Sequence, residues 1–235
     1  MRACNALLVH GAGGGAWEWN LWRGVLEAHA ITVHALELRP SPAGLAATTL
    51  QDYRVQVCDA LQALPHPRVL IGASLGGLLA AMCAAISENQ ADALVLVNPL
   101  PPAPWHQQLP RRDWNGELVP WRRNARLAST RDALCDADEA AAVFAFRHWR
   151  DESGSVLREA HAGIEVEKPA CPALLISSAR DEDVPREIIF AMTEEWRSDR
   201  LETLASSHVG PLLGSEAPSI ARQAVAWINQ LPLLR

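Results

Sequence analysis

Three residues far apart in the chain have the types needed to turn a weak nucleophile into a strong one. Ser74 lies in the run Gly72-Ala73-Ser74-Leu75-Gly76, Asp181 in ARDEDVP and His208 in SSHVGP. A serine hydroxyl attacks a carbonyl only when a base takes its proton, and a histidine base needs an orienting carboxylate. The G-x-S-x-G spacing is weak evidence alone, since about one chain in twelve of this length carries it by accident. Its setting is more telling. It follows the apolar run Arg68–Gly72 and opens a helix, the place where a sharp strand-to-helix turn projects a serine above a sheet. The first N–H of that helix, on Leu75, would then face the oxyanion of an attacked carbonyl. Asp181 follows the apolar run Ala173–Ser177 and His208 follows Leu201–Leu204, so all three residues sit at strand ends. Spacing from the strand and the D-x-x-V-P turn favour Asp181 over Asp183 as the partner of His208.

The elements that must position these residues alternate. Runs at Ala6–His10, Ile31–Leu36, Arg68–Gly72, Ala93–Asn98, Ala173–Ser177 and Leu201–Leu204 read as strands, most of them near-continuous apolar runs as expected of strands buried on both faces. Helical patterns fall between them at Ala16–Ala28, Leu50–Leu64 and Leu75–Ser87, and a last one spans Ala217–Gln230. The fold expected is α/β, a mostly parallel doubly wound sheet of about six strands with flanking helices. Open sheets of this kind build their sites at the carboxyl ends of the strands, where Ser74, Asp181 and His208 would meet. The alternation lapses over 99–167, a stretch with four of the nine tryptophans and no convincing strand. It reads as a helical cap inserted into a core made of 1–98 and 168–235. Trp105, Trp121 and Trp149 are the candidates to line a substrate pocket there. They could equally form the cap's own core.

The first loop, His10 to Trp19, offers a rival reading. Gly11-x-Gly13-x-x-Ala16 with Glu37 further on matches a dinucleotide fingerprint. That match stands alone. Tyr53 and Lys168 are the only tyrosine and lysine and are far apart, so no Tyr-x-x-x-Lys pair exists, and no Gly-Lys-Ser/Thr run makes a P-loop. A chain of 235 residues with 21 basic and 27 acidic side chains has no basic face for nucleic acid. The longest apolar run is too short to span a bilayer. No Cys/His cluster or H-E-x-x-H motif calls for a metal, and no cofactor is expected. Five scattered cysteines and the absence of a signal-peptide pattern at the start favour the cytoplasm.

Together HGAGGGAWEW, GASLGG, ARDEDVP and SSHVGP resemble the α/β-hydrolase superfamily, and the opening is similar to its esterase and hydroxynitrile lyase branch. The resemblance implies Ser74 as nucleophile, His208 as general base, Asp181 as its orienting acid, and the N–H groups of Ala12 and Leu75 as an oxyanion hole. The sequence departs from the pattern at Ser178 and Ser207, where glycine is usual. Hydroxynitrile lyases of the branch place a lysine after the histidine, and Val209 stands there instead. The expected activity is hydrolysis of a small carboxylic ester or thioester with an apolar or aromatic part. The alternatives are a non-hydrolytic lyase or acyltransferase and a ligand-binding protein on the same fold.

Overall fold

The computed structural model describes residues 4–86, 91–205 and 207–232. Every expected strand forms, with ends displaced by at most two residues. In chain order the first half runs β1 (Cys4–Val9), α1 (Asn20–Ala28), β2 (Ile31–Leu36), α2 (Leu50–Gln62), β3 (Arg68–Ala73), α3 (Leu75–Ala84) and β4 (Ala93–Val97). After an excursion come β7 (Ala173–Ser178), α7 (Arg186–Trp196), β8 (Asp199–Thr203), the short α8 (Gly210–Leu213) and α9 (Ala217–Gln230). The end expected for α3, Ser87, lies outside the described residues.

Six strands form one parallel sheet in the order β2-β1-β3-β4-β7-β8. Side chains alternate across it. Leu7, Val9, Leu70 and Leu94 pack toward α2, α3 and α7, while Ala6, Leu8, Val69 and Val95 pack toward α1 and α9. Both faces are covered over β1, β3, β4 and β7, which is why these read as near-continuous apolar runs, whereas the edge strands β2 and β8 are partly exposed. Each fully buried Leu or Val contributes about 1.5–3 kcal/mol. Helix α3 is buried on every side, so its sequence shows no polar stripe. Helix α2 opens on a capping box in which Thr49 Oγ1 accepts from Asp52 N (3.2 Å) and Asp52 Oδ2 from Thr49 N (2.8 Å).

Between β4 and β7 the chain leaves the sheet for β5 (Leu118–Val119), α4 (Leu127–Ala133), α5 (Glu139–His148), β6 (Glu152–Ser153) and α6 (Gly154–Ala162). The expectation of no strand here is corrected. β5 and β6 pair antiparallel, Leu118 with Ser153 and Val119 with Glu152. Two-residue strands carry no readable period. The excursion also shares the main core, since Val156 and Ala160 join the cluster beneath α2 and α3. Among the described residues no helix is long and apolar enough to cross a membrane.

The tryptophans divide. Trp105 is only 9% exposed and meets Trp196 of α7 edge-on, with ring centroids 6.0 Å apart. Trp121 is 36% exposed and meets Trp114 at 5.8 Å. Trp105→Ala is therefore expected to destabilise the protein by about 3–5 kcal/mol, and Trp121→Ala by no more than about 1.5 kcal/mol. Urea denaturation of the two variants checks the ranking.

Candidate active site

Ser74 is the turn between β3 and α3 and carries φ 52°, ψ −120°. A non-glycine residue there costs of order 1–3 kcal/mol and persists only where its surroundings over-determine it. They do: Ser74 N donates to Val97 O (3.0 Å), and Ser74 O accepts from Gly77 N (2.9 Å) and Leu100 N (2.9 Å). The glycines are required by close approach. A methyl on Gly72 would stand 2.2 Å from Gly76 O, and one on Gly76 would stand 2.3 Å from Val9 O. As the first residue of α3, Leu75 has an N–H without an intrahelical acceptor.

His208 Nδ1–H donates to Asp181 Oδ2 at 2.6 Å. The other Asp181 oxygen accepts from Asp183 N (2.8 Å) and Val184 N (3.0 Å), so the D-x-x-V-P turn itself locks the carboxylate. With Nδ1 committed, Nε2 is the ring nitrogen left for a cavity of about 580 Å³ that His208 lines together with Ser74, Leu100, Trp121 and Trp149. Ala12 lines the same cavity. Asp183 pairs instead with Arg112, so the sequence's choice of Asp181 agrees with the hydrogen bonding. Trp105 does not belong to this wall, since its ring is spent against Trp196. Trp114, which no motif singles out, does line it.

Several supporting residues lie outside every motif. Asn98, at the end of β4 with φ 41°, donates from Nδ2 to His208 O (2.7 Å) and to Ser178 Oγ (2.8 Å). Its Oδ1 accepts from Ser178 N (2.8 Å). Asp136 accepts from Ser207 N (3.1 Å) and Ser207 Oγ (2.6 Å). The two serines that stand where glycine is usual are thus each held by a partner from another segment. The glycine loop is gripped from the excursion: Gly13 N donates to Glu152 Oε2 (3.0 Å) and Arg150 N to Gly13 O (2.7 Å). Glu37, the residue a dinucleotide reading needs, accepts from Ala16 N (2.9 Å) and pairs with Arg150. It is a strut of the loop.

Charge in the site is uneven. Burial alone would lower the pKa of His208. The Asp181 charge and hydrogen bond, helped by Asp183 and Glu18, outweigh it and raise the value above the usual 6.5. Burial pushes the Glu18 carboxyl up to about 7 against the Gly11 N–H and the charges of His208 and Arg150. His10 goes the other way, to about 4, because it is buried and sits near Arg150. Its Nδ1–H donates to Gly11 O (2.8 Å), and Nε2 accepts from Leu38 N (3.1 Å), which fixes it neutral. Among the described residues the one set of donor atoms close enough for a cation is Asp181, Asp183 and His208, within 4.8 Å of one another. Each is already engaged, to the imidazole and backbone, to Arg112, and to Asp181 respectively.

A model of the alpha/beta hydrolase family matches residues 6–222. An alpha-hydroxynitrile lyase from Arabidopsis thaliana is 33% identical over 111 residues, 45% of this chain and 43% of that protein. A pimeloyl-[acyl-carrier protein] methyl ester esterase from Citrobacter koseri is 35% identical over 96 residues, 40% of this chain and 36% of that protein. The chain thus matches less than half the length of these relatives. Polyneuridine aldehyde esterase has the same fold at TM-score 0.76, with 17% identity over 97% of this chain and 100% of the other. A pyrethroid hydrolase from Sphingobium faniae JZ-2 has it at 0.73, with 21% identity over 97% and 98%.

In an NMR titration the His208 imidazole is expected to titrate above 6.5, and Asp183→Asn to move it down, because a raising charge is removed. His10 is expected to stay neutral until pH falls to about 4. A His208 value below 6.5 would count against the charge balance described.

Proposed function

Because the chain belongs to the alpha/beta hydrolase family, we propose that it is a serine hydrolase that cleaves a carboxylic ester or thioester through an acyl-enzyme. The observation that carries this reading is the meeting of a strained serine and an Asp181-oriented His208 on one cavity wall. Ser74 Oγ attacks the carbonyl carbon while His208 Nε2 takes its proton, and Asp181 stabilises the imidazolium. The oxyanion sits between the N–H groups of Ala12 and Leu75. His208 returns the proton to the departing alcohol or thiol. It then draws a proton from water as the water attacks the acyl carbon, and passes that proton to Ser74 Oγ as the acyl–oxygen bond breaks and the acid leaves. Residues 99–167 act as a cap, and Trp121 and Trp149, joined by Trp114, receive an apolar or aromatic part of the substrate. The esterases among its relatives and fold neighbours support this choice of chemistry.

A second reading, a non-hydrolytic lyase, is favoured by the similarity to alpha-hydroxynitrile lyase. Val209 argues against cyanide chemistry, because it lines the cavity where the lyases of the branch would carry a lysine. A pure binding protein on this fold would have no need of the strained serine.

Labelling with a fluorophosphonate should mark Ser74, and Ser74→Ala should abolish both labelling and turnover while keeping the fold. Asp181→Asn should lower kcat by about 10⁴-fold and Asp183→Asn far less. Ester hydrolysis should fall as pH drops through the raised His208 pKa, since only the neutral imidazole acts as base. Labelling that persists in Ser74→Ala, or the reverse ranking of the aspartates, would refute the assignment.

A further inference from the structure

Glu18 is a carboxyl in the cavity that the hydrolytic steps above do not use. It belongs to the 3-10 turn Ala16–Trp19, directly after the glycine loop, and is only 2% exposed, yet it lines the same cavity as Ser74 and His208. One oxygen, Oε2, accepts from Gly11 N at 3.1 Å. The other, Oε1, has no hydrogen-bond partner among the described residues. The chain reserves room for it, since a methyl on Gly14 would stand 1.7 Å from Oε1. The reacting serine is near. A methyl on Gly11 would lie 3.3 Å from Ser74 Cβ and 3.8 Å from Glu18 Oε2, so the two side chains flank the same point of the glycine loop. Oε1 is open to the cavity with no protein donor, and a ligand that brings one gains a charge-assisted hydrogen bond.

We propose that Glu18 is a specificity-determining residue that accepts a hydrogen bond from a donor group, hydroxyl or ammonium, carried by the substrate beside its scissile carbonyl. The inference rests on Ser74 being the nucleophile, because that fixes where the carbonyl lies. It makes the natural substrates 2-hydroxy or 2-amino acyl esters or thioesters, or close relatives with the donor one carbon further on. The charged groups facing Glu18 are His208 and Arg150, which favour its ionised form, and Glu37, which opposes it. The carboxylate is thus the better acceptor above a pH of about 7.

The test compares four methyl esters of one skeleton: 3-phenylpropanoate and its 2-hydroxy, 2-methoxy and 2-amino derivatives. The wild-type protein should favour the 2-hydroxy and 2-amino esters over the other two by about 10–100-fold in kcat/KM. The 2-hydroxy to 2-methoxy ratio should rise with pH through about 7. Titration of His208 cancels from that ratio because one enzyme serves both substrates. In Glu18→Gln the single amide oxygen is held by Gly11 N–H, so the NH₂ faces the cavity. That variant should reverse the preference toward 2-methoxy, and Glu18→Leu should remove it, with circular dichroism confirming that both are folded. Calorimetric binding of the four matching amides to Ser74→Ala repeats the comparison without turnover. Donor preference in binding without ester turnover in the wild type would uphold Glu18 and reject the hydrolase reading. Fluorophosphonate labelling and ester turnover with no donor preference, or a preference unchanged in both Glu18 variants, would overturn the role of Glu18 and leave the hydrolase reading standing.

Discussion

Helix α3 approaches the carboxyl end of β1 so closely that a methyl at Gly76 would strike the Val9 carbonyl, 2.3 Å away, and the site is arranged around that approach. A helix that begins so close to a neighbouring strand leaves no room for a relaxed loop. The chain must turn from β3 into α3 at one residue, and Ser74 takes the strained dihedral angles. The same approach brings the start of α3 beside the loop that leaves β1. Ser74 and Ala12 therefore border one cavity. Main-chain bonds from Val97 and Leu100 absorb the strain, so the serine is held by the two central strands and needs no help from its own side chain.

The loops that carry the other functional groups are tied to the segment between β4 and β7. Arg150 and Glu152 hold Gly13, Asp136 holds Ser207, and Arg112 pairs with Asp183. Glu152 is 2% exposed and also accepts from Tyr53 Oη (2.9 Å). Lifting this segment as one body would take from that carboxylate its donors on Gly13 and Tyr53, leaving only Ser153 N, at a cost of about 1–3 kcal/mol for each buried group left unpaired. Opening of the cavity is therefore confined to parts of the wall with few such ties, such as the half-exposed Trp121. The segment completes the site as much as it covers it.

What could be read from the sequence was whatever a local pattern encodes. The placing of Ser74, Asp181 and His208 was legible because each lies shortly after a strand-like run, although the run before His208 belongs to the exposed edge strand β8. The choice of Asp181 over Asp183 was legible because the turn that holds its carboxylate spans three residues. Asn98 and Asp136 were not, because they act across 80 and 71 residues of chain with no motif at either end. Ser178 and Ser207 marked both places, as departures from the glycines of the family pattern, but a departure does not name its partner. Trp105 misled for a related reason. Its type says that it buries a large apolar surface, not whether the surface opposite is a cavity or Trp196. The β5–β6 pair escaped because two residues cannot show an alternation.

The electrostatics leave one group in tension with the chemistry. Asp181 spreads its charge over the imidazole and two backbone N–H groups, and Asp183 is matched by Arg112, so both support His208 without presenting a bare charge to the cavity. Glu18 has no such match, and it holds the N–H of Gly11, one residue before the Ala12 N–H assigned to the oxyanion. In the proposed mechanism a full negative charge there would stabilise the imidazolium formed as Ser74 loses its proton, but would oppose the oxyanion formed in the same step. Burial keeps Glu18 near its point of half-ionisation at neutral pH, which limits both effects when the cavity holds only solvent. A donor placed against Oε1 changes the balance. It screens the carboxylate from the oxyanion through a charge-assisted hydrogen bond while leaving the attraction to His208 in place. A carboxyl so placed makes the reacting centre sensitive to a substituent one bond away from it, by electrostatics alone and without a separate recognition pocket.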